Sequence, residues 1–200
     1  MRGKMCWKKS SILEVERMKG EKTREKIIQA AFELFKEKSY HEVSMDEIAR
    51  KAGVSKGGLF HHFSSKYELA KAVLFTLLDE WLESLTTRLE GLSSQEKLET
   101  LVDAAFEMIT DSPKLSRFFL ELYEESLRLD RGAEWNEFYR RYLNPVATIL
   151  MESGVDQPMR KAVLLGAVVD GLALHHLLSG GGLFSVEDMK EEVVRMLRGE

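Results

Sequence analysis

The stretch "SMDEIARKAGVSKGGLFHHF", residues 44–63, predicts two short helices joined by a tight turn. Ser44 and Glu47 have the spacing of a capping box, in which a serine and a glutamate satisfy the first free amides of a helix. Gly53 marks a left-handed stop for that helix, and Ser55 is placed to cap the next one. Two short helices separated by a three- or four-residue turn containing glycine are typical of a helix-turn-helix.

The rest of the chain is predicted to be helical almost throughout. Apolar residues recur at intervals of three and four, and no alternating run is long enough for a strand. The first helix is expected over about residues 23–38, and a long helix that begins at Ser65 links the front of the chain to the back. Pro145 lies inside a later helical pattern, which predicts a bend near Asn144.

We therefore expect an all-α fold with about nine helices. Residues 1–20 are expected to form a basic, disordered extension, and residues 21–67 a three-helix domain that contains the helix-turn-helix. A long helix then leads into a C-terminal helical domain over residues 68–200.

Composition limits the class of protein. The chain has 200 residues, of which 44% are hydrophobic and 31% charged, which suits one domain of ordinary size or a small module attached to a larger one. A single cysteine, Cys6, excludes an intramolecular disulfide, and the basic N-terminus lacks the apolar run of a signal peptide. The longest apolar stretch, residues 162–178, is interrupted by Asp170 and two histidines, so it indicates a buried helix rather than a membrane span. We expect a cytoplasmic protein.

Charge is distributed unevenly along the chain. Residues 1–71 contain 16 basic and 10 acidic side chains, whereas the remaining 129 residues contain 13 basic and 23 acidic ones. The N-terminal part of the chain is therefore better suited to binding anions, although much of its excess of basic side chains lies in the first 20 residues. Charge alone is weak support for nucleic-acid binding.

Two glycines in the predicted second helix need an explanation, because each costs a helix about 1 kcal/mol relative to alanine. A helix that enters the major groove gains from bare backbone near its N-terminus, where base edges and phosphates are close. Metal binding is the rival interpretation for His61 and His62, but adjacent helical positions diverge by about 100° and cannot chelate jointly. A surface histidine pair without a role is the other alternative.

The segment "TREKIIQAAFELFKEKSYHEVSMDEIARKAGVSKGGLFHHFSSKYELAKAVL", residues 23–74, resembles the DNA-binding domain of TetR-family transcriptional regulators over its whole length. The shared elements occur in order: "AAFELF", "DEIARKAGVS", and a glycine-to-leucine pattern from Gly57 to Leu69. The later residues resemble the family in helix number and length only, so no ligand is implied by them.

The resemblance implies roles for individual residues. Positions that commonly meet bases in this family are occupied by Lys56, Gly57 and Phe60. Positions that commonly meet phosphates are occupied by Ser44, Ser55, His61, His62 and Lys66. The position of Phe60 often carries tyrosine, so one polar contact is lost here, while stacking and contact with a thymine methyl group remain.

The family mechanism implied is that of a ligand-responsive regulator, commonly a repressor, which binds a palindromic operator as a dimer and is released by a small effector. The apolar helix over residues 162–178 needs cover on all sides, which its own protomer and a symmetry mate would supply in an isologous dimer. The expected interface residues are Ala162, Gly166, Val169, Ala173 and His176. The expected pocket, for an apolar or aromatic effector, is formed by Phe106, Phe119, Tyr123, Phe138, Tyr142, Asp170 and His175.

The expected partners are double-stranded DNA, a hydrophobic small molecule and a second copy of the chain, with no membrane, metal or cofactor. An enzyme is the main alternative class, but no di-iron ExxH pair, phosphate-binding glycine loop or nucleophile with an adjacent base occurs. A helical adaptor whose helix-turn-helix packs against protein is the other alternative. Salt-dependent binding to palindromic DNA would separate the adaptor from a DNA-binding protein.

Overall fold

The computed structural model describes residues 6–110 and 113–199, and their side chains over residues 18–110 and 114–199. The chain divides into two compact units, Met1–Val73 (the N-terminal unit) and Leu74–Glu200 (the C-terminal unit). Nine α-helices occur in the described ranges: α1 Cys6–Glu37, α2 Met45–Ala52, α3 Lys56–His62, α4 Lys66–Leu89, α5 Ser94–Thr110, α6 Pro113–Arg128, α7 Trp135–Glu152, α8 Pro158–Ser179 and α9 Val186–Arg198. The described residues contain no strand, as the sequence pattern predicted.

Helix α1 is longer than the sequence pattern indicated. It begins at Cys6 rather than near residue 23, and so includes residues that were expected to be disordered. Residues 6–19 contain no proline, and Gly20 lowers helix stability by only about 1 kcal/mol, so nothing there stops the helix. Residues 1–5 lie outside the described residues, and the domain boundaries at 20 and 67 stay predictions.

The N-terminal unit has a small apolar core shared by its helices. Ile27 and Ala31 of α1 are completely buried, as are Ile48 of α2 and Leu59 of α3. Helix α2 packs against both α1 and α3. Because α3 is only seven residues long, this burial of its inner face, rather than its own helix propensity, stabilises it.

The core of the C-terminal unit is built around α5. Helix α5 packs against α7, α8 and α9, and α7 runs along α8. Leu101, Ala105 and Phe106 on α5 are completely buried. Pro145 lies inside α7, which continues unbroken to Glu152.

Helix α8 is covered on one side only in the single chain. Ala162, Leu165 and Val169 are buried, whereas Leu164 is 50% exposed and Leu178 76% exposed. By length and composition α8 would also suit a membrane span. The sequence analysis expected a symmetry mate on the second side, and this side is open to solvent in the monomer.

Candidate DNA interface and effector cavity

The helix-turn-helix is held in place by the capping residues that the sequence indicated. Ser44 Oγ accepts a hydrogen bond from the Glu47 amide at 3.2 Å, and Ser55 Oγ accepts one from the Gly58 amide at 3.0 Å. Gly53 closes α2 in the left-handed conformation, with φ of 67°, which favours glycine because it has no Cβ. These contacts fix the three-residue turn between α2 and α3.

Helix α3 presents one face to solvent. Lys56, Gly57 and His61 are exposed, and Phe60 is 43% exposed, while Leu59 on the opposite side is buried. The two glycines differ in their surroundings. A Cβ at Gly58 would lie 3.2 Å from Ser55 Oγ, so the N-cap itself favours glycine there, whereas a Cβ at Gly57 would meet nothing within 4 Å. Packing within the protein therefore does not explain Gly57.

Lys56 is paired with an acidic residue across the turn. Its Nζ atom lies 2.8 Å from Asp46 Oδ1, and both side chains are about two-thirds exposed. Such an exposed pair contributes little to stability. The ammonium group is therefore free to exchange this carboxylate for another anion.

The remaining predicted phosphate contacts on this side are accessible to different degrees. Ser44 and Ser55 are exposed, and a hydroxyl that accepts a capping hydrogen bond can still donate its own proton. His61 is exposed, whereas His62 is half-buried, and desolvation, followed by the nearby His61 and Arg24, lowers the pKa of His62. No group of three or more histidine, cysteine or acidic side chains suited to a metal ion occurs among the residues that the structure describes.

Lys66 does not fit its predicted role as a phosphate contact. Its Nζ atom donates hydrogen bonds to the backbone carbonyl oxygens of Tyr40 at 2.8 Å and Val43 at 3.0 Å, and lies 4.4 Å from the centre of the Tyr40 ring. The ammonium group thus binds the segment between α1 and α2. These contacts were not predicted, because spacing along the sequence does not show which way a long side chain folds back.

Two adjoining cavities, each of about 350 Å³, lie between α5, α6, α7 and α8 in the C-terminal unit. The first extends toward α6, and the second toward α7 and Leu78. Both are bordered by the same five residues, Met108, Phe119, Tyr139, Val169 and Asp170.

Most of the predicted pocket residues line these cavities. Phe119 and Asp170 border both, Tyr123 borders the first, and Phe138 and Tyr142 border the second. The aromatic rings contact one another: those of Phe119 and Phe138 have centres 5.7 Å apart.

The prediction was wrong for Phe106 and His175. Phe106 is completely buried in the core, and His175 lies exposed on α8 and borders neither cavity. Composition identified the aromatic-rich region but could not show which face of each helix borders the space.

The sequence analysis missed several cavity residues. Tyr139 borders both cavities, and its spacing of three from Tyr142 on α7 was a usable signal. The remaining missed residues are aliphatic or small side chains without a sequence signal: Leu78, Met108, Ile109, Leu115, Ser116, Leu120, Leu143, Val163, Ala167, Gly171 and Leu174.

The predicted interface stripe lies largely inside the protomer. Ala162 and Val169 are buried, and a Cβ at Gly166 would lie 3.5 Å from the Tyr142 ring. Gly166, Val169 and Ala173 border the cavities instead. The sequence analysis expected these residues to pack against a second chain, but most of them pack within the protomer. Small residues allow close packing against α7 as readily as against a second chain, so their spacing alone could not distinguish the two. His176 is half-buried and its ring lies beside Phe184, with centres 6.3 Å apart.

Asp170 is the acidic group of both cavities. The surrounding apolar groups desolvate its carboxyl group and raise its pKa to about 6, although the group remains accessible from the cavity space. Burial, and then the negative charge of Asp170, raise the pKa values of Tyr139 and Tyr142. Both tyrosines therefore stay protonated at neutral pH.

A helix-turn-helix with an outward-facing second helix, followed by a helical unit with an aromatic cavity, defines the class of ligand-responsive DNA-binding regulators. Residues 27–73 match the sequence model of bacterial regulatory proteins of the tetR family. Residues 94–199 match that of the BetI-type transcriptional repressor C-terminal region. The chain belongs to the TetR family of transcriptional regulators. The relatives that it matches are regulators and not enzymes.

Two relatives differ in how much of the chain they match. The transcriptional activator FasR of Mycolicibacterium smegmatis is 36% identical over 106 residues, which are 52% of this chain and 48% of FasR, so the match spans about half of FasR. The transcriptional regulator BetI of Escherichia coli is 28% identical over 162 residues, which are 78% of this chain and 83% of BetI.

Two solved structures share the fold. FadR of Bacillus subtilis, in complex with stearoyl-CoA, has a TM-score of 0.68 at 22% identity, covering 86% of this chain and 96% of FadR. A transcriptional regulator of Saccharomonospora viridis, in complex with choline, has a TM-score of 0.69 at 24% identity. The match covers 86% of this chain and 94% of that regulator. Because these two proteins bind ligands of different chemistry, the shared fold does not specify an effector.

Proposed function

We propose that this protein is a homodimeric repressor that binds a palindromic operator through α3 and is released by a small apolar or aromatic molecule in the C-terminal unit. The observation that carries the proposal is the exposed face of α3, where Lys56, Gly57 and Phe60 point away from the core while Leu59 anchors the helix from behind. Such a protein acts in the cytoplasm, where bacterial DNA is accessible.

The proposed contacts divide into two groups. Lys56, Gly57 and Phe60 would face bases and give sequence preference. Ser44, Ser55, His61 and His62 would contact phosphates and set the position of the protein on the duplex. Half-site centres would lie about one helical turn apart, or a multiple of it, as two-fold symmetry requires.

The exposed apolar side of α8 supports dimerisation through a second copy. Met159, Val163 and Leu164 are each about half-exposed, and Leu178 is more exposed still. An unpaired apolar helix face of this kind is typical of a protein interface. The variant Leu164→Glu should therefore be monomeric by light scattering, while Leu127→Glu, a change at a similarly exposed leucine on α6, should stay dimeric. A dimeric Leu164→Glu protein would contradict this interface.

Repression is the proposed outcome because the C-terminal residues match a repressor family, although the relative FasR is described as an activator. A reporter gene under a promoter that contains the selected operator would show whether the protein represses or activates transcription. Deletion of the regulator should raise expression, and lower expression would assign an activator.

DNA binding is tested by selecting palindromic duplexes from a random pool and titrating the full chain against the selected fragment. Affinity should fall steeply as salt concentration rises, because phosphate contacts release counterions. The variant Lys56→Met should lose sequence preference. If no palindrome is selected, or if affinity does not depend on salt, the helical adaptor becomes the better assignment.

A further inference from the structure

Asp170 occupies the junction of the two cavities. It borders both of them, together with Met108, Phe119, Tyr139 and Val169. A molecule that fills both cavities must therefore pass its middle section beside this carboxyl group.

Among residues 18–110 and 114–199, the Asp170 carboxylate has no partner of opposite charge, and its side chain makes no hydrogen bond. No lysine or arginine among these residues borders either cavity. The titratable groups that face it are the hydroxyls of Tyr139 and Tyr142, and Tyr123 also borders the first cavity. The Asp170 side chain is exposed, so a ligand in the cavities can reach it. Its apolar neighbours make a carboxylate without a counter-charge less favourable than one that a cation accompanies.

We propose that the effector is a hydrophobic organic cation, with Asp170 as its counter-ion and apolar groups on both sides of the charged nitrogen. This inference rests on the proposed function, because it names the chemical class of molecule that the effector cavity takes. The aromatic rings favour the same class, since a cation is attracted to the faces of tyrosine and phenylalanine rings.

The ionisation of Asp170 sets the pH range of binding. Desolvation raises its pKa to about 6, so the carboxyl group is mostly ionised at neutral pH and attracts a cation. A bound cation would lower this pKa. Affinity for a cation is therefore full above pH 6 and declines as pH falls through that value.

Two probes of the same length and the same number of non-hydrogen atoms separate charge from apolar contact. Benzylhexyldimethylammonium carries a quaternary nitrogen between an aromatic and an aliphatic arm. Its partner is the hexyl ether of 2-phenylpropan-2-ol, which has a neutral oxygen at the same position and carries its two methyl groups on the neighbouring carbon. Decanoate serves as the anionic amphiphile. Binding of each probe to the full chain is measured by calorimetry at pH 7, below the concentration at which the probe forms micelles.

The ammonium probe should bind at least about tenfold more tightly than the ether, which corresponds to about 1.4 kcal/mol. The variant Asp170→Asn should lose about tenfold or more in affinity for the cation and change affinity for the ether by less than about twofold. Asp156→Asn is the matched control, because it removes the same charge from an exposed loop outside the cavities and should leave both affinities unchanged.

The proposal is overturned if the ammonium probe does not bind, if the ether or decanoate binds as tightly, or if Asp170→Asn keeps the affinity for the cation. DNA binding by the same variants is measured separately. A variant that binds the operator but no longer responds to the cation supports both proposals. Cation binding without any DNA binding would contradict the proposed operator binding and leave the ligand class in place.

Discussion

Lys66 at the start of α4 donates a hydrogen bond from Nζ to the backbone carbonyl oxygen of Tyr40, at 2.8 Å. The same group reaches the carbonyl oxygen of Val43 at 3.0 Å. A single ammonium group thus satisfies carbonyl groups in the segment between α1 and α2, and connects this segment to the helix that follows α3. This arrangement holds the segment before α2 against the start of α4, and so helps to position the helix-turn-helix.

Replacement of Lys66 by methionine should therefore destabilise the N-terminal unit. Hydrogen bonds from a charged donor are worth more than neutral ones, and we expect the free energy of unfolding to fall by about 2 kcal/mol. Lys26→Met is the control, since Lys26 is exposed on α1. Urea denaturation measures both variants, and equal stabilities would show that the Lys66 contacts contribute nothing.

Gly57→Ala should separate stability from DNA binding. A Cβ at this position meets nothing within 4 Å, so alanine should stabilise the helix by up to about 1 kcal/mol. If bare backbone at Gly57 approaches the base edges, the added methyl group should weaken operator binding by about tenfold or more, the value of one good base contact. Fluorescence anisotropy with the selected duplex measures the loss.

The control for this prediction is Gly20→Ala in α1, where a Cβ also meets nothing within 4 Å. It should give a similar gain in helix stability and leave DNA affinity unchanged. Unaltered operator binding by Gly57→Ala would mean that α3 does not approach the duplex closely at this position.

Asp46→Asn should increase DNA affinity. The Asp46 carboxylate lies 2.8 Å from Lys56 Nζ and competes with DNA for that ammonium group, while its own charge repels phosphates. Because the pair is exposed, we expect a modest gain of about two- to fivefold at low salt.

A double-mutant cycle checks the origin of this gain. In a Lys56→Met background, the part of the gain that depends on the ion pair should disappear. Only the part that comes from repulsion between the Asp46 carboxylate and the DNA phosphates should remain. An identical gain in both backgrounds would show that Asp46 acts on DNA directly and not through Lys56.

Asp170→Asn should stabilise the protein at neutral pH. The pKa of Asp170 is raised from 3.8 to about 6 in the folded protein, so the folded state binds the proton more tightly than the unfolded state does. The contribution of this group to stability is then full below pH 3.8 and declines as pH rises through 6. Because the carboxyl group faces an open cavity, we expect a gain of only about 1 kcal/mol for the amide at pH 7.

Thermal unfolding of both proteins at pH 4 and pH 7 measures this effect. The difference in stability between Asp170→Asn and the unmodified chain should be present at pH 7 and small at pH 4. A difference that does not depend on pH would mean that desolvation of the carboxylate is not its cause.

The local signals in the sequence located the helix-turn-helix correctly. Ser44, Gly53 and Ser55 act over distances of three to five residues, and capping and left-handed stops depend on the chemistry of those residues alone. The same holds for Leu59, whose burial follows from helical periodicity. The class of fold and the exposed face of α3 were therefore predictable before any tertiary contact was known.

The start of α1 and the direction of Lys66 were not predictable in this way. The basic composition of residues 1–20 suggested disorder, whereas α1 already begins at Cys6 and continues to Glu37. A lysine side chain can extend into solvent or fold back onto carbonyl groups, and only the position of Tyr40 beside α4 favours the second arrangement.

The cavities of the C-terminal unit likewise combine features that the sequence predicts with features that depend on tertiary packing. The sequence by itself determined that aromatic residues gather on α6 and α7 and that α8 carries a lone acid, because side-chain chemistry and helical period are properties of the chain. Only the tertiary structure decided that Gly166 and Val169 face α7 and the cavities, that Phe106 is core, and that Asp170 joins two cavities. The physical reason is that an apolar helix can bury either side, and the choice depends on how it packs against α5, α6 and α7, which are distant in sequence.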